Sequence, residues 1–209
     1  RSRNKDAKVL LIVPASLLGN WGRECMKFTP ELDFSIRHGK DAKKKDFPFL
    51  TIVTYQGAAT SASIKEEKWD LVILDEAQNI KNRNTKQTKA IKALERKQAI
   101  AMTGTPIENS LMNLWSIFDF LSPGLLGDEK DFESFSDSLG GDKMDNLKKV
   151  VTPFILRRLK TDKSIINDLP EKVENELMVS LTPEQRVLYN KVVDEYEEAL
   201  QRKEETGAN

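Results

Sequence analysis

Four short apolar runs without polar alternation are the feature that most constrains the fold of this chain. They read KVLLIVP at 8–14, FLTIVTY at 49–55, DLVIL at 70–74 and QAIAMTG at 98–104. A strand that lacks polar alternation is buried on both faces, which is typical of parallel sheets covered by helices. Parallel strands need long crossover connections, and these runs are separated widely enough to hold them. The pattern therefore predicts a three-layer α/β fold.

The stretches between and after these runs carry the spacing of amphipathic helices. Residues 17–28 place apolar side chains three or four positions apart, and we expect Ser16 to cap this helix. Trp21 lies on its apolar face, so we expect it in the core rather than stacked on a nucleic-acid base. A short helix is expected after residue 55, a helix with a basic outer face at 84–94, and a strongly apolar helix at 110–121.

Beyond residue 121 the sequence changes character. The strand signals stop at a turn-rich break, 122–128, and short helices are expected within 131–151. Residues 172–181 alternate enough to predict a strand, and 182–205 predict a long helix. Thr182 as N-cap and Gln185 three positions later form a predicted capping box at the start of that helix.

Composition excludes several classes of protein. The 33 basic and 33 acidic residues balance, so a whole-chain basic bias toward nucleic acid is absent, although a basic face is compatible with this balance. Cys25 is the single cysteine and His38 the single histidine, which excludes an intrachain disulfide and a cysteine zinc site. No apolar run approaches the length of a membrane span. We expect a cytoplasmic protein without a membrane partner.

Two adjacent carboxylates, Asp75 and Glu76, follow directly after the third apolar run. Ligands of open parallel sheets bind beyond the carboxyl ends of the strands, where this pair is expected to lie. One carboxylate could hold a divalent metal while the other orients an attacking water, as phosphoryl transfer requires. The simpler interpretation is a strand that ends in solvent, and the residues alone leave both interpretations open.

Several short motifs follow one another in a fixed order along the chain, and residues 101–127 contain two of them, TGTPIEN and LWSIFDFLSPG. In this order the motifs resemble those of the Swi/Snf-type ATPases, the double-stranded-DNA translocases of helicase superfamily two. Residues 101–127 resemble motif III and the segment after it, and this match is highly specific. The other matching stretches are LLIVPASLLGNWGRE (10–24, motif Ia), TIVTYQ (51–56, motif Ib), LVILDEAQNIKN (71–82, motif II), FILRRLKTD with LPEKVE (154–162 and 169–174, between the lobes) and LTPEQRVLYN (181–190, second lobe).

The resemblance implies a RecA-like lobe of the P-loop NTPase type at 1–121. A helical appendage and lobe junction would follow at 122–171, and the start of a second lobe at 172–209. It implies ATP and Mg²⁺ as cofactors. The implied partners are double-stranded DNA, a second RecA-like lobe and, as a further expectation, a DNA-bound protein complex. DNA would place the protein at the nucleoid of a bacterium or in a nucleus.

The resemblance also gives roles to individual residues. Asp75 would hold Mg²⁺, Glu76 would orient the attacking water, and Gln78 completes the motif II tetrad. The residues implied to couple nucleotide state to movement are Thr103, Gly104, Thr105, Pro106 and Asn109. Those implied to contact the DNA backbone are Pro14, Ser16, Thr54 and Tyr55, and those implied to brace the lobe junction are Arg157 and Arg158.

Two departures from the family pattern bear on activity. The tetrad here is DEAQ where the family often has DEGH or DEAH, and Gln78 still offers a donor and an acceptor. The sequence contains no G-x-x-x-x-G-K-[ST] phosphate-binding loop. We expect that the chain begins just downstream of that loop and is inactive by itself. The alternatives are a non-catalytic DNA- or protein-binding lobe, or another superfamily-two helicase or restriction motor.

Overall fold

Five parallel strands form one sheet in the order β2-β3-β1-β4-β5. The structure is a computed structural model that describes residues 7–37, 46–104, 110–138, 140–158 and 175–206. The strands are β1 Val9–Val13, β2 Phe34–Arg37, β3 Leu50–Thr54, β4 Trp69–Leu74 and β5 Arg96–Ala101. The helices are α1 Leu18–Phe28, α2 Tyr55–Thr60, α3 Ala62–Glu66, α4 Lys86–Lys92, α5 Leu111–Leu121, α6 Glu129–Asp137, α7 Gly141–Val151 and α8 Pro183–Thr206.

The central strand β1 is buried along its whole length. It pairs with β3 on one side and with β4 on the other, with Ile12 opposite both Val53 and Leu74. This explains why its sequence shows no polar alternation, since both faces are covered by apolar layers. The predicted parallel sheet is confirmed, and its carboxyl edge brings the ends of β1, β4 and β5 together.

Helices cover the two faces of the sheet, as the sequence predicts. One apolar cluster joins alternate residues of β1, such as Leu10, with helices α2 to α5. The opposite cluster joins Leu11 and its neighbours with α1, including the buried Cys25. Gly22 on α1 lies so close to β2 that an added Cβ would stand 2.7 Å from Ile36 Cδ1. A glycine at this position therefore lets α1 approach the sheet closely.

Strand β5 forms an edge of the sheet. Its only pairing among the described residues is with β4. Lys97 and Gln98 on this strand are exposed, and so is Ile100, at 45%. Among the described residues, no strand pairs with the other side of β5.

A third apolar cluster holds α5, α6 and α7 together. Its buried members include Trp115, Phe132 and Leu147, one from each helix. All three helices belong to the compact unit formed by residues 1–153, and residues 154–209 form a second unit. The predicted boundaries after residues 121 and 171 stay predictions.

Three local predictions were wrong or incomplete. Strand β2 was missed because it is a short edge strand whose four residues include a serine and an arginine. Ser16 does not cap α1, because it lies inside a 3₁₀ turn, Ala15–Leu17, that precedes the helix. The strand predicted at 172–181 is absent from its described part, 175–181, which has no regular structure.

The long helix of the second unit begins where the sequence predicts. The Thr182 backbone N–H donates to Gln185 Oε1 at 3.0 Å, and the Gln185 N–H donates to Thr182 Oγ1 at 3.3 Å. This reciprocal pair confirms the predicted capping box. None of the helices in the described part of the chain is long and apolar enough to span a membrane.

Candidate functional site: the turn after strand β4

The two carboxylates lie in a turn that is bonded to the neighbouring strands. The Asp75 N–H donates to the carbonyl of Ile12 at the end of β1, at 2.8 Å. The Ala77 N–H donates to the carbonyl of Met102, just after β5, also at 2.8 Å. Backbone bonds on both sides of the turn fix its position at the carboxyl edge of the sheet.

Glu76 has a left-handed backbone conformation. Its φ is 52° and its ψ 57°, and it is the single non-glycine residue with a positive φ in the described ranges. This conformation costs on the order of 1 kcal/mol for a residue with a Cβ. Such strain persists where the surroundings hold it and is concentrated at functional sites.

Tyr55, the first residue of α2, holds this strained peptide. Its hydroxyl donates to the carbonyl of Asp75 at 2.8 Å and lies 3.3 Å from the carbonyl of Glu76. Burial, followed by the nearby charges of Asp75 and Glu76, raises the pKa of the Tyr55 phenol, so it stays a donor. The predicted DNA-backbone role of Tyr55 stays a prediction, and its side chain is 4% exposed and faces the turn.

Both oxygens of the Asp75 carboxylate accept hydrogen bonds. The indole Nε1 of Trp21 donates to Oδ2 at 2.7 Å, and the Glu76 N–H donates to Oδ1 at 3.0 Å. Each carboxylate oxygen has a further lone pair for a metal or its water. Within the described ranges, no group of three or more His, Cys, Asp or Glu side chains could form a metal cage. One carboxylate fits Mg²⁺, which takes few protein oxygens and completes its shell with phosphates and water.

Gln78 connects the second carboxylate to the end of strand β5. Its Nε2 donates to Glu76 Oε2 at 2.8 Å, and its Oε1 accepts from the hydroxyl of Thr103, also at 2.8 Å. An amide can do this because it carries a donor and an acceptor on one planar group. The relay physically joins motif II to the first residue of the predicted coupling segment.

The other predicted site residues lie in several places. Ser16 is exposed and Thr54 caps α2, accepting from the Gly57 N–H at 3.0 Å. Pro14 stands half-buried between β1 and the 3₁₀ turn. Gly104, Arg157 and Arg158 are exposed, and Thr105, Pro106 and Asn109 lie outside the described residues. The DNA, coupling and junction roles of these residues stay predictions.

Sequence reasoning missed the two aromatic donors to motif II. Trp21 follows β1 and Tyr55 follows β3, so both start from strands whose carboxyl ends lie at the same edge as Asp75. Parallel pairing of these strands is the signal that could have placed them together. Trp21 does pack against the sheet, as predicted, but its polar atom was overlooked.

Helix α5 also forms a hydrogen bond with the segment that follows strand β4. The buried hydroxyl of Ser116 donates to the carbonyl of Ile80 at 2.7 Å. Arg83, slightly further along, forms ion pairs with Glu129 and Glu133 of α6. These bonds join helices α5 and α6, which follow motif III, to the residues at and just after motif II. The sequence alone does not reveal these contacts.

A five-stranded parallel sheet with two oriented carboxylates after a central strand defines a RecA-like lobe. The chain belongs to the SNF2-related domain family, whose family model matches residues 1–209. It resembles the SWI2/SNF2 ATPase core of Sulfolobus solfataricus solved in complex with dsDNA, with 40% identity and a TM-score of 0.73. That match covers 100% of this chain and 45% of the solved chain.

Curated relatives agree with this assignment. The helicase/translocase YwqA of Bacillus subtilis is 38% identical over 197 residues, which is 88% of this chain and 21% of that protein. The chromatin-remodeling ATPase INO80 of Schizosaccharomyces pombe is 33% identical over 208 residues, or 86% of this chain and 13% of that protein. The chain thus spans about a fifth or less of the length of these relatives.

Proposed function

We propose that this chain works as part of a DNA-dependent ATPase that moves on double-stranded DNA and displaces or remodels bound proteins. The single observation that carries the proposal is the oriented pair Asp75 and Glu76, with Gln78 joining Glu76 to Thr103. The names of its relatives support the proposal, since they include ATP-dependent helicases and chromatin-remodelling ATPases.

The two carboxylates divide the work. Asp75 would hold Mg²⁺ directly or through water, which neutralises charge on the transferred phosphoryl group when the nucleotide is bound. Glu76 would orient the attacking water and accept its proton. Gln78 fixes the Glu76 carboxylate through one hydrogen bond, so the base does not have to find its orientation at each turnover.

The partners follow from the same proposal. A phosphate-binding loop and a second RecA-like lobe would complete the nucleotide site, since the 209 residues contain no G-x-x-x-x-G-K-[ST] sequence. Double-stranded DNA would lie along the starts of the segments that follow β1 and β3, near the exposed Ser16. The protein would then act at the nucleoid or in the nucleus.

Replacing each carboxylate separately in the full-length protein tests this division. Glu76→Gln should bind Mg-ATP nearly normally but lose DNA-stimulated hydrolysis by about 100-fold or more, because an amide cannot accept the proton. Asp75→Asn should bind Mg-ATP poorly, because a neutral amide is a weaker Mg²⁺ ligand. The measurements are nucleotide affinity, steady-state hydrolysis with duplex DNA and melting temperature.

Glu95→Gln is the matched control for this experiment. Glu95 precedes β5 at the amino end of the strands, and its side chain forms an exposed ion pair with Lys68, so its replacement should leave hydrolysis unchanged. Near-normal hydrolysis in a folded Glu76→Gln variant would favour the simpler interpretation, in which the two carboxylates only mark the end of a strand in solvent. Glu76 would then not be the catalytic base.

A further inference from the structure

We infer that Trp21 is a positioning residue for the Asp75 carboxylate and thereby sets the affinity of the site for Mg²⁺. The inference rests on the proposed ATPase function and goes beyond it, because Trp21 would touch neither metal nor nucleotide. Its indole Nε1–H donates to Asp75 Oδ2 at 2.7 Å, across 54 residues of sequence.

The position of Trp21 is determined by the fold around it. Helix α1 leaves β1 through a 3₁₀ turn, and Trp21 stands in the first turns of the helix, above the end of β4. The buried Gly22, next in sequence, brings α1 close to Ile36 of β2. The indole ring packs against the apolar cluster under α1 and its N–H points at the carboxylate.

Packing alone does not require an indole here. Phenylalanine would fill most of the same apolar space, but it would leave Asp75 Oδ2 without this donor. A hydrogen bond to a charged acceptor is stronger than one between neutral groups, and it fixes the rotation of the carboxylate. Together with the Glu76 N–H on Oδ1, Trp21 holds Asp75 from both oxygens.

The contact is open on one side. A groove of about 550 Å³ runs beside it and is lined by Asp75, Trp21 and further residues of α1. The remaining lone pairs of Asp75 can therefore be reached while the indole is in place. Partners that orient metal ligands typically contribute 10–100-fold to metal affinity, which is the range we expect for Trp21.

The test is Trp21→Phe in the full-length protein, read first by binding rather than by turnover. The Mg²⁺ concentration that half-saturates binding of a non-hydrolysable ATP analogue should rise about tenfold. In an Asp75→Asn background the same substitution should add nothing, because its effect passes through the carboxylate. A purely structural role would weaken binding in both backgrounds.

Trp115→Phe is the matched control. It also removes an indole and one hydrogen bond, here to the carbonyl of Gly127 at 3.1 Å, but in the cluster around α5 and α6. It should lower the melting temperature without changing the Mg²⁺ requirement. An equal change in Mg²⁺ requirement in both variants would overturn the inference.

A spectroscopic measurement avoids any change at Trp21. In protein labelled with ¹⁵N-tryptophan, one indole N–H resonance should be displaced by Asp75→Asn and should shift on addition of Mg²⁺ with the ATP analogue. The absence of such a resonance would refute the contact even if Trp21→Phe fails to fold.

The failure of this inference can be told apart from failure of the proposed function. Wild-type protein without Mg²⁺-dependent nucleotide binding would defeat the ATPase proposal itself, whereas an active Glu76→Gln variant would defeat only the catalytic role of Glu76. An inactive Glu76→Gln variant beside a Trp21→Phe variant with an unchanged Mg²⁺ requirement would defeat only the positioning role.

Discussion

Gln78 joins two side chains that the chain brings together from different strand ends. It donates to Glu76 and accepts from Thr103, 25 residues away. In this arrangement Glu76 has an unfavourable left-handed backbone conformation. The Tyr55 hydroxyl stabilises the turn by donating a hydrogen bond to the Asp75 carbonyl. At the scale of single residues, the turn is a set of fixed donors around two carboxylates.

Gln78→Leu should break this relay while keeping the volume of the side chain. Hydrogen bonds to charged groups contribute about 1.5–3 kcal/mol, so DNA-stimulated hydrolysis should fall by roughly 10–100-fold. Nucleotide affinity should change little, because Asp75 keeps its own partners. Steady-state hydrolysis and nucleotide titration in the full-length protein are the measurements.

Gln78→His provides the comparison for that prediction. Histidine restores the tetrad ending that resembles the common family pattern, and its ring carries one donor and one acceptor when neutral. It should retain most of the hydrolysis that Gln78→Leu loses. Equal activity in wild type and Gln78→Leu would show that the relay is only structural.

At the scale of elements, strand β4 is anchored at both ends. Its carboxyl end carries the motif II turn, which Ser116 of α5 supports through the Ile80 carbonyl. Near its amino end, Asp70 accepts from Lys97 Nζ of β5 at 2.6 Å and from the Lys8 N–H before β1 at 2.9 Å. Asp70 therefore ties three neighbouring strands together.

The Asp70 anchor predicts a pH dependence of stability. The hydrogen bond from Lys97, followed by that from the Lys8 backbone, lowers the pKa of Asp70 in the folded protein. A lowered folded pKa gives stability that is present above the ordinary value of about 4 and is lost as the pH falls through the folded pKa. Asp70→Asn should therefore cost on the order of 1 kcal/mol at pH 6, and less as the pH drops.

Melting curves of wild type and Asp70→Asn, measured between about pH 7 and pH 3 in steps of about one pH unit, check this sign. The gap in melting temperature should narrow toward low pH. Glu95→Gln, whose ion pair with Lys68 is exposed, should show only a small gap. A gap for Asp70→Asn that widens on acidification would contradict the assignment.

Four of the five strands could be predicted from apolar runs. Burial explains these runs in β1 and β3, whereas β5 was found from the same pattern although several of its residues are exposed. Strands β1, β3, β4 and β5 and the helix at 111–121 lie close to where the apolar runs place them. Strand β2 could not be found that way, since an edge strand needs no continuous apolar run. The segment 175–181 alternates in sequence but forms no strand, because alternation without a pairing partner does not make one.

The candidate site was predictable only in part. The carboxylates Asp75 and Glu76 follow from a strand end and a motif, both of which are local in sequence. The donors Trp21 and Tyr55 act across 54 and 20 residues, so they depend on which strands become neighbours. Such tertiary contacts depend on the order of the strands in the sheet. The spacing of apolar residues in the sequence does not reveal that order.

At the scale of the whole molecule, the proposed function predicts that the described lobe supplies only part of a DNA-binding surface. The chain has 33 basic and 33 acidic residues, so attraction to DNA must come from local geometry rather than from net charge. The predicted contact points are Ser16, which is exposed in the turn before α1, and Thr54 at the start of α2. Contacts of this type reach phosphates and not base edges.

Binding of the chain to duplex DNA should therefore be weak, insensitive to sequence and steeply dependent on salt. Each phosphate contact contributes about −0.9 to the slope of log affinity against log salt, so a few contacts give a slope of roughly −2 to −3. Ser16→Asp should weaken binding equally on unrelated sequences, because it adds a negative charge beside the phosphates. A sequence-specific complex that survives high salt in a mobility-shift assay would contradict this expectation.

Among the described residues, β5 has a neighbouring strand on one side only. This has a consequence for how these 209 residues behave in a concentrated solution. An edge strand with unpaired backbone groups is a template on which any extended segment can add. With Ile100 exposed at 45%, that edge offers apolar contact as well as hydrogen bonds. Two copies of these 209 residues that met there would extend each other's sheets, so the tendency of this piece to associate in solution depends on what covers β5.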